Sequence, residues 1–256
     1  MTTDSSPAHE QAQAITHGTA APASTPIVIR PLTALEHLDQ AVSIQREVWG
    51  YSDLDTDPRA ILIIASRFIG QVFGAFDGQR LIGLALAFHA SPAGRLHSHR
   101  VGVLKEYQNR GIGRELKLAQ RADAISRGIE IIQWTFDPLQ TRNAHFNLVR
   151  LGGIARTYIP NFYGVTSSPL HGGLPTDRLL IEWHLTSPRV ADVLVGTRPA
   201  PSSGSVQVDL PPPALRTNAE AQMKLRESLQ ARLLEGYAVT SFASAEGREF
   251  YTLEKL

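Results

Sequence analysis

Val101-Gly102-Val103-Leu104-Lys105-Glu106-Tyr107-Gln108-Asn109-Arg110-Gly111-Ile112-Gly113 passes from a β-rich run, through a short polar loop, into glycines where a helix begins. The first amide N–H groups of a helix have no partner within it and sit at the positive end of its dipole. A diphosphate placed there accepts several backbone hydrogen bonds. Glycine at 111 and 113 lets the phosphates come close. The spacing is neither the Walker pattern nor the dinucleotide Gly-x-Gly-x-x-Gly, and glycines also serve a plain tight turn. Taken alone, the stretch predicts an anion site and no more.

Outward from this stretch the pattern is α/β. After it, Ile112, Leu116 and Ala119, with Leu118, Ala122 and Ile125, recur at helical spacing, while Arg114, Lys117 and Arg121 share the other side up to a Gly128 cap. Residues 129–136 read as an apolar strand, 141–151 as a helix and 177–185 as another strand. Before it, residues 27–30 read as a strand and 35–48 as an amphipathic helix. A second short helix is expected after an Asp57 N-cap with Pro58 in its first turn. Runs 71–76 and 80–89 flank Asp77-Gly78-Gln79 as a hairpin, and 96–104 supply a third strand.

Composition narrows the function. The 256 residues are 43% apolar, enough to fill a core, and 25 basic against 24 acidic residues leave a net charge of +1. No global field draws in nucleic acid or an anionic membrane, and no apolar run approaches the roughly 20 residues that span a bilayer. The chain has no cysteine, which removes disulfides, thiolate metal sites and a Cys nucleophile. A small-molecule partner and a cytoplasmic location are expected. Residues 1–26, rich in Ala, Ser, Thr, Pro and Gln, are expected to be a disordered leader. Residues 27–187 should form the main domain and 188–213 a linker. Residues 214–256 read as a helix followed by a β-hairpin that turns at Ala245 to Gly247.

The sequence Val103 to Gly113 resembles motif A of the GNAT acyltransferases, written Gln/Arg-x-x-Gly-x-Gly/Ala, with Gln108, Gly111 and Gly113 at the fixed positions. That family's order of strand, two helices, three antiparallel strands, cofactor helix, strand, helix, strand matches residues 27–185. The resemblance implies a GNAT fold: an α/β architecture with a mixed, mostly antiparallel central sheet flanked by helices, here with a C-terminal helix-hairpin extension. The chain is similar to the branch of predicted or amino-acid-directed GNAT acyltransferases with extended C-termini. It also implies an acyl-CoA co-substrate, acetyl-CoA or another, held by Val101, Val103, Gln108, Asn109, Arg110, Gly111, Ile112, Gly113, Arg114 and Asn143. The Val103 N–H would hold the thioester carbonyl. A second family motif is partly retained over residues 142–153, but Leu148 stands where many relatives carry a tyrosine general acid, and Gly153 where they carry an aromatic.

Transfer to an amine needs a neutral nitrogen, so a general base helps. Period two places His97, His99, Val101 and Val103 on one face of their strand. Some relatives carry a catalytic carboxylate at the position of His97. His97 is therefore the expected base and His99 the second choice, with either one also readable as a satisfied polar group. Tyr163, with Tyr158 beside it in sequence, is a candidate proton donor or a packing aromatic. Arg95, Arg100, Arg142 and Arg156 are candidates for a substrate carboxylate or a succinyl tail. His97 and His99 find only His89 or Asp137 as a third metal ligand, and no metal is expected. The expected function is N-acylation of a small primary amine, with a homodimer among the options for the C-terminal addition. Two other readings remain: a CoA-thioester-binding module without turnover, and acylation of protein N-termini or lysines at an open groove edged by Asp53, Asp55 and Asp57. A small-molecule site would instead be closed by the C-terminal addition.

Overall fold

The computed structural model describes residues 26–50, 52, 55–164 and 174–256. The expected leader, apart from Pro26, and Asp53 lie outside these residues. β1 (Val28–Pro31) leads into α1 (Leu35–Trp49), which buries Leu38, Ala41 and Ile44 and ends at Gly50 in left-handed backbone, as a helix C-cap requires. α2 (Arg59–Ile64) continues through a wider π-helical turn, Ala65–Ile69. Its N-cap position is Pro58, without a side-chain cap. Asp57, expected to cap it, turns its carboxylate elsewhere.

β2 (Gly70–Asp77), β3 (Arg80–Ala90) and β4 (Arg95–Val103) form an antiparallel meander, with Gly78 in left-handed backbone at the first turn. α3 (Ile112–Ser126) and β5 (Ile131–Phe136) follow, then α4 (Thr141–Ala144), which continues as a π-helical segment His145–Arg150. β6 (Ile154–Ile159) and β7 (Arg178–His184) complete the part anticipated from sequence, although β6 itself was not. The expected linker 188–213 holds α5 (Pro188–Leu194) and β8 (Val206–Asp209). α6 (Ala219–Leu234), β9 (Tyr237–Ala245) and β10 (Arg248–Lys255) end the chain, with Glu246 and Gly247 both at positive φ in the hairpin turn.

Among the described residues the strands make one sheet in the order β1-β2-β3-β4-β5-β7-β6-β9-β10-β8. Every pairing is antiparallel except β4 with β5. One apolar cluster gathers α1, α2 and α3 around β2 to β4, and a second gathers β5, β7, β6 and the C-terminal elements. The C-terminal part is joined to the rest by Ala155 opposite Val239 and by a buried polar knot. There Asp177 accepts two hydrogen bonds from Arg226 of α6 (2.8 Å each) and one from the Tyr158 hydroxyl (2.6 Å). No helix among the described residues is long and apolar enough to cross a membrane.

Candidate active site

The parallel pairing of β4 with β5 runs only from Arg95 opposite Ile131 to His97 opposite Gln133. Beyond that rung the strands part, and among the described residues β4 has no partner on that side from Ser98 to Val103. The Leu104 amide donates to Ile82 of β3 (2.9 Å), so alternation along the strand turns the amides of Val103 and Val101 toward the open side. The gap widens into a cleft of about 810 Å³ that reaches the start of α3.

At that end Gly111 takes left-handed backbone (φ 82°) as the residue before α3, and Asn109 does the same (φ 63°). No side chain caps the helix, and among the described residues the amides of 109 to 113 have no backbone acceptor. A Cβ added at Gly111 or Gly113 would meet nothing within 4 Å, so the cradle is open to a ligand. Gln108 donates to the Val103 carbonyl (3.0 Å) and ties the loop to the strand. Arg142 donates to Asn109 (2.8 Å) and ties it to α4. The lining includes Arg100, Arg114, Lys117, Arg142 and Arg150 and, among the described residues, no Asp or Glu. Oriented free amides, open glycines and the lining arginines fit a diphosphate-bearing cofactor. Of the expected cofactor residues, Val101, Val103, Gln108, Asn109, Gly111, Ile112, Gly113, Arg114 and Asn143 line the cleft. Arg110 instead stacks over Tyr107 and bonds the Glu106 carbonyl (2.9 Å).

The histidines do not lie as period two predicts. Leu86 pairs with Arg100 and Ala87 with Ser98, leaving His99 as an extra residue in a β-bulge. The bulge inverts the alternation. Ser98 and Val103 both face α3, since Ser98 bonds Gln120 and a Cβ at Gly83 would meet Val103 beside Leu116. Gly102 faces α1, where a Cβ would meet Trp49 at 2.7 Å. His99 and Arg100 turn to the α1/α2 side, away from Val101 and Val103, and both reach Asp57.

Asp57, in the sequence a helix cap or a rim acid, holds both His99 and Arg100. Its backbone is held by the buried Gln45 of α1, which accepts from the Asp57 amide (2.9 Å) and donates to its carbonyl (3.2 Å). Its carboxylate receives His99 Nε2 (3.2 Å) and Arg100 Nε. Burial alone would raise the Asp57 pKa, but the hydrogen bonds from His99 and Arg100 outweigh it, and the group lies below the ordinary carboxylate value. His97 lies outside the cleft lining. Burial first, then the charges of His99 and Lys117, push its pKa down to about 4. An imidazole so reluctant to take a proton is a poor base near neutrality.

Other candidates fall away from the cleft. Tyr163 is half exposed, stacked edge-on against Phe162 (4.6 Å) beneath Arg178, and Tyr158 is committed to Asp177. Arg156 pairs with Glu182 (2.9 Å), and Arg95 is absent from the lining. His89 bonds Arg127 (2.7 Å), and Asp137 bonds the Leu139 amide (2.9 Å). Leu148 is buried in the core. The π-helical part of α4 brings His145, Phe146, Asn147 and Arg150 to the cleft instead. No described residue after Arg150 lines it, so the C-terminal addition extends the far edge of the sheet and does not close the site.

Residues 38–152 match the family model described as "Acetyltransferase (GNAT) family". The fold is shared with solved structures of low identity. The ribosomal-protein-S18-alanine N-acetyltransferase of Escherichia coli is 14% identical, with a TM-score of 0.52 over 63% of this chain and 96% of that one. An N-acetyltransferase of Staphylococcus aureus Mu50 is 12% identical (TM-score 0.52, 63% and 100%). Diaminobutyrate acetyltransferase of Paenibacillus lautus, solved with its substrate and coenzyme A, is 13% identical (TM-score 0.50, 64% and 98%). No curated protein matches the chain in sequence.

Proposed function

We propose that the chain is an acyl-CoA-dependent N-acyltransferase acting on a small primary amine. The observation that carries this is the parting of β4 from β5 beyond His97 and Gln133, which sets the free amides of Val101 and Val103 in line with the unpaired amides of 109–113. The loop amides would hold the pyrophosphate, and the strand amides would hold the pantetheine and the thioester carbonyl. The bound cofactor would supply the activated acyl group. His99 would take the proton of the incoming amine. Asp57 holds Nε2–H and so leaves Nδ1 as the basic nitrogen. The leaving thiolate has a conjugate acid of pKa near ~8.5, so expulsion does not depend on a tyrosine at position 148. An acidic wall would favour a cationic acceptor; this cationic one favours an acceptor that also carries a carboxylate, as an amino acid does. The cleft left open by the C-terminal addition also suits a protein N-terminus as acceptor.

The test is calorimetric titration with CoA and acetyl-CoA of the wild type and of a Gly111→Glu, Gly113→Glu variant, whose carboxylates would occupy the phosphate cradle. Binding by the wild type and loss in the variant support the assignment. A wild type that binds neither ligand refutes it. Turnover of acetyl-CoA with an amine panel then separates an enzyme from a binding module.

A further inference from the structure

Helical spacing puts Lys117 on the solvent face of α3, yet it is only 3% exposed. Its ammonium nitrogen lies 2.8 Å from Ser98 Oγ and 3.5 Å from the centroid of the Trp134 ring. Ser98 and Trp134 are the first residues of β4 and β5 past their last paired rung. Lys117 therefore sits at the vertex where the two strands diverge, and its side chain lines the cleft there.

Among the described residues no carboxylate pairs with Lys117, and burial alone holds its pKa well below the ordinary lysine value. Ser98 passes its own hydroxyl hydrogen to Gln120 (3.0 Å), and the Trp134 N–H is committed to Asn147 (3.1 Å), so Trp134 offers only its ring face. An ammonium has three donors, and one acceptor and one ring face answer them. A buried ammonium left this way is costly, and an arriving carboxylate removes the cost. Direction supplies the rest. A cofactor with its diphosphate on residues 109–113 and its arm running from Val103 back toward Ser98 points its acyl group at this vertex.

We propose that Lys117 makes the vertex a subsite for an acyl chain ending in a carboxylate, so that the chain prefers a short dicarboxylic acyl thioester over acetyl-CoA as donor. This rests on the acyl-CoA assignment of the cleft. Nζ would donate to the terminal carboxylate, with Ser98 Oγ orienting it and the Trp134 face walling the methylene groups.

The experiment titrates CoA, acetyl-CoA and succinyl-CoA into wild type and Lys117→Met, with intact-mass measurement after each incubation. Wild type is expected to bind succinyl-CoA about tenfold more tightly than acetyl-CoA, as a hydrogen bond to a charged group provides. Lys117→Met is expected to erase that difference and keep its affinity for CoA. Replacing a buried charge by a side chain of similar volume is tolerated by folded proteins. If the variant still fails to fold, the wild-type comparison decides. Equal wild-type affinity for the two thioesters overturns the proposal, as does a preference that survives in Lys117→Met. A mass gain of one acetyl group on Lys117 also overturns it, because the amine would then be a nucleophile and not an anion receptor. Failure of wild type to bind even CoA removes the cofactor assignment itself.

Discussion

Replacing His97 by Gln should change how stability depends on pH. Burial, then His99 and Lys117, keep the His97 imidazole neutral in the folded chain down to a pKa of about 4, against an ordinary 6.5. Between those values the unfolded chain binds a proton that the folded chain refuses. The wild type thus loses stability as pH falls from about 6.5 toward 4, and the loss is complete below the folded value. The full shift sets a ceiling of roughly 3 kcal/mol. His97 is partly open to water, and screening brings the expected loss to about 1–2 kcal/mol. Gln keeps the polarity but does not titrate. Urea unfolding at pH 7.5 and pH 4.5 should show His97→Gln gaining about 1–2 kcal/mol on the wild type across that interval. Parallel pH profiles for the two proteins would refute the reasoning, and with it the case against His97 as the base.

Asp177→Ala should cost about 3–5 kcal/mol, because Arg226 and Tyr158 both lose a partner in a buried site. Thermal or urea unfolding reads this, and a loss below about 1 kcal/mol would mean that the knot does not hold the C-terminal elements. On an amine identified by screening, His99→Ala should lower kcat about a hundredfold or more, whereas His97→Ala should leave it nearly unchanged. Asp57→Ala should follow His99→Ala in direction, since it frees the imidazole to turn; the reverse ranking of the two histidines would return the base to His97.

The loop and its helix were legible because they depend on contiguous residues: Gln108 to Gly113 state the cradle locally, and hairpin turns announce themselves by glycine. The histidine arrangement was not, because a bulge is a property of two strands. Nothing within Arg95 to Val103 says that Leu86 skips His99 to pair with Arg100. Asp57 meets His99 across 42 positions of chain, and no single-sequence signal records that meeting. Lys117 was misplaced because the buried stripe of α3 runs through Ile112, Leu116, Lys117, Gln120 and Ala124, where two polar residues break the apolar code. β8 is four residues long amid Pro and Ser, too short for periodicity. α5 is announced in the sequence by Ser187-Pro188, and in the fold Ser187 accepts from the Val190 amide with Pro188 in the first helical turn.

The bulge at His99 bears on how this site can change over generations. Removing residue 99 would close the ladder between β3 and β4 while leaving Ser98, Val101 and Val103 on the α3 face and His97, Arg100 and Gly102 on the other. The imidazole is thus carried by an insertion and not by the strand's own repeat. A lineage could gain or lose it in one step of chain length, with the packing on either side of the sheet left in phase.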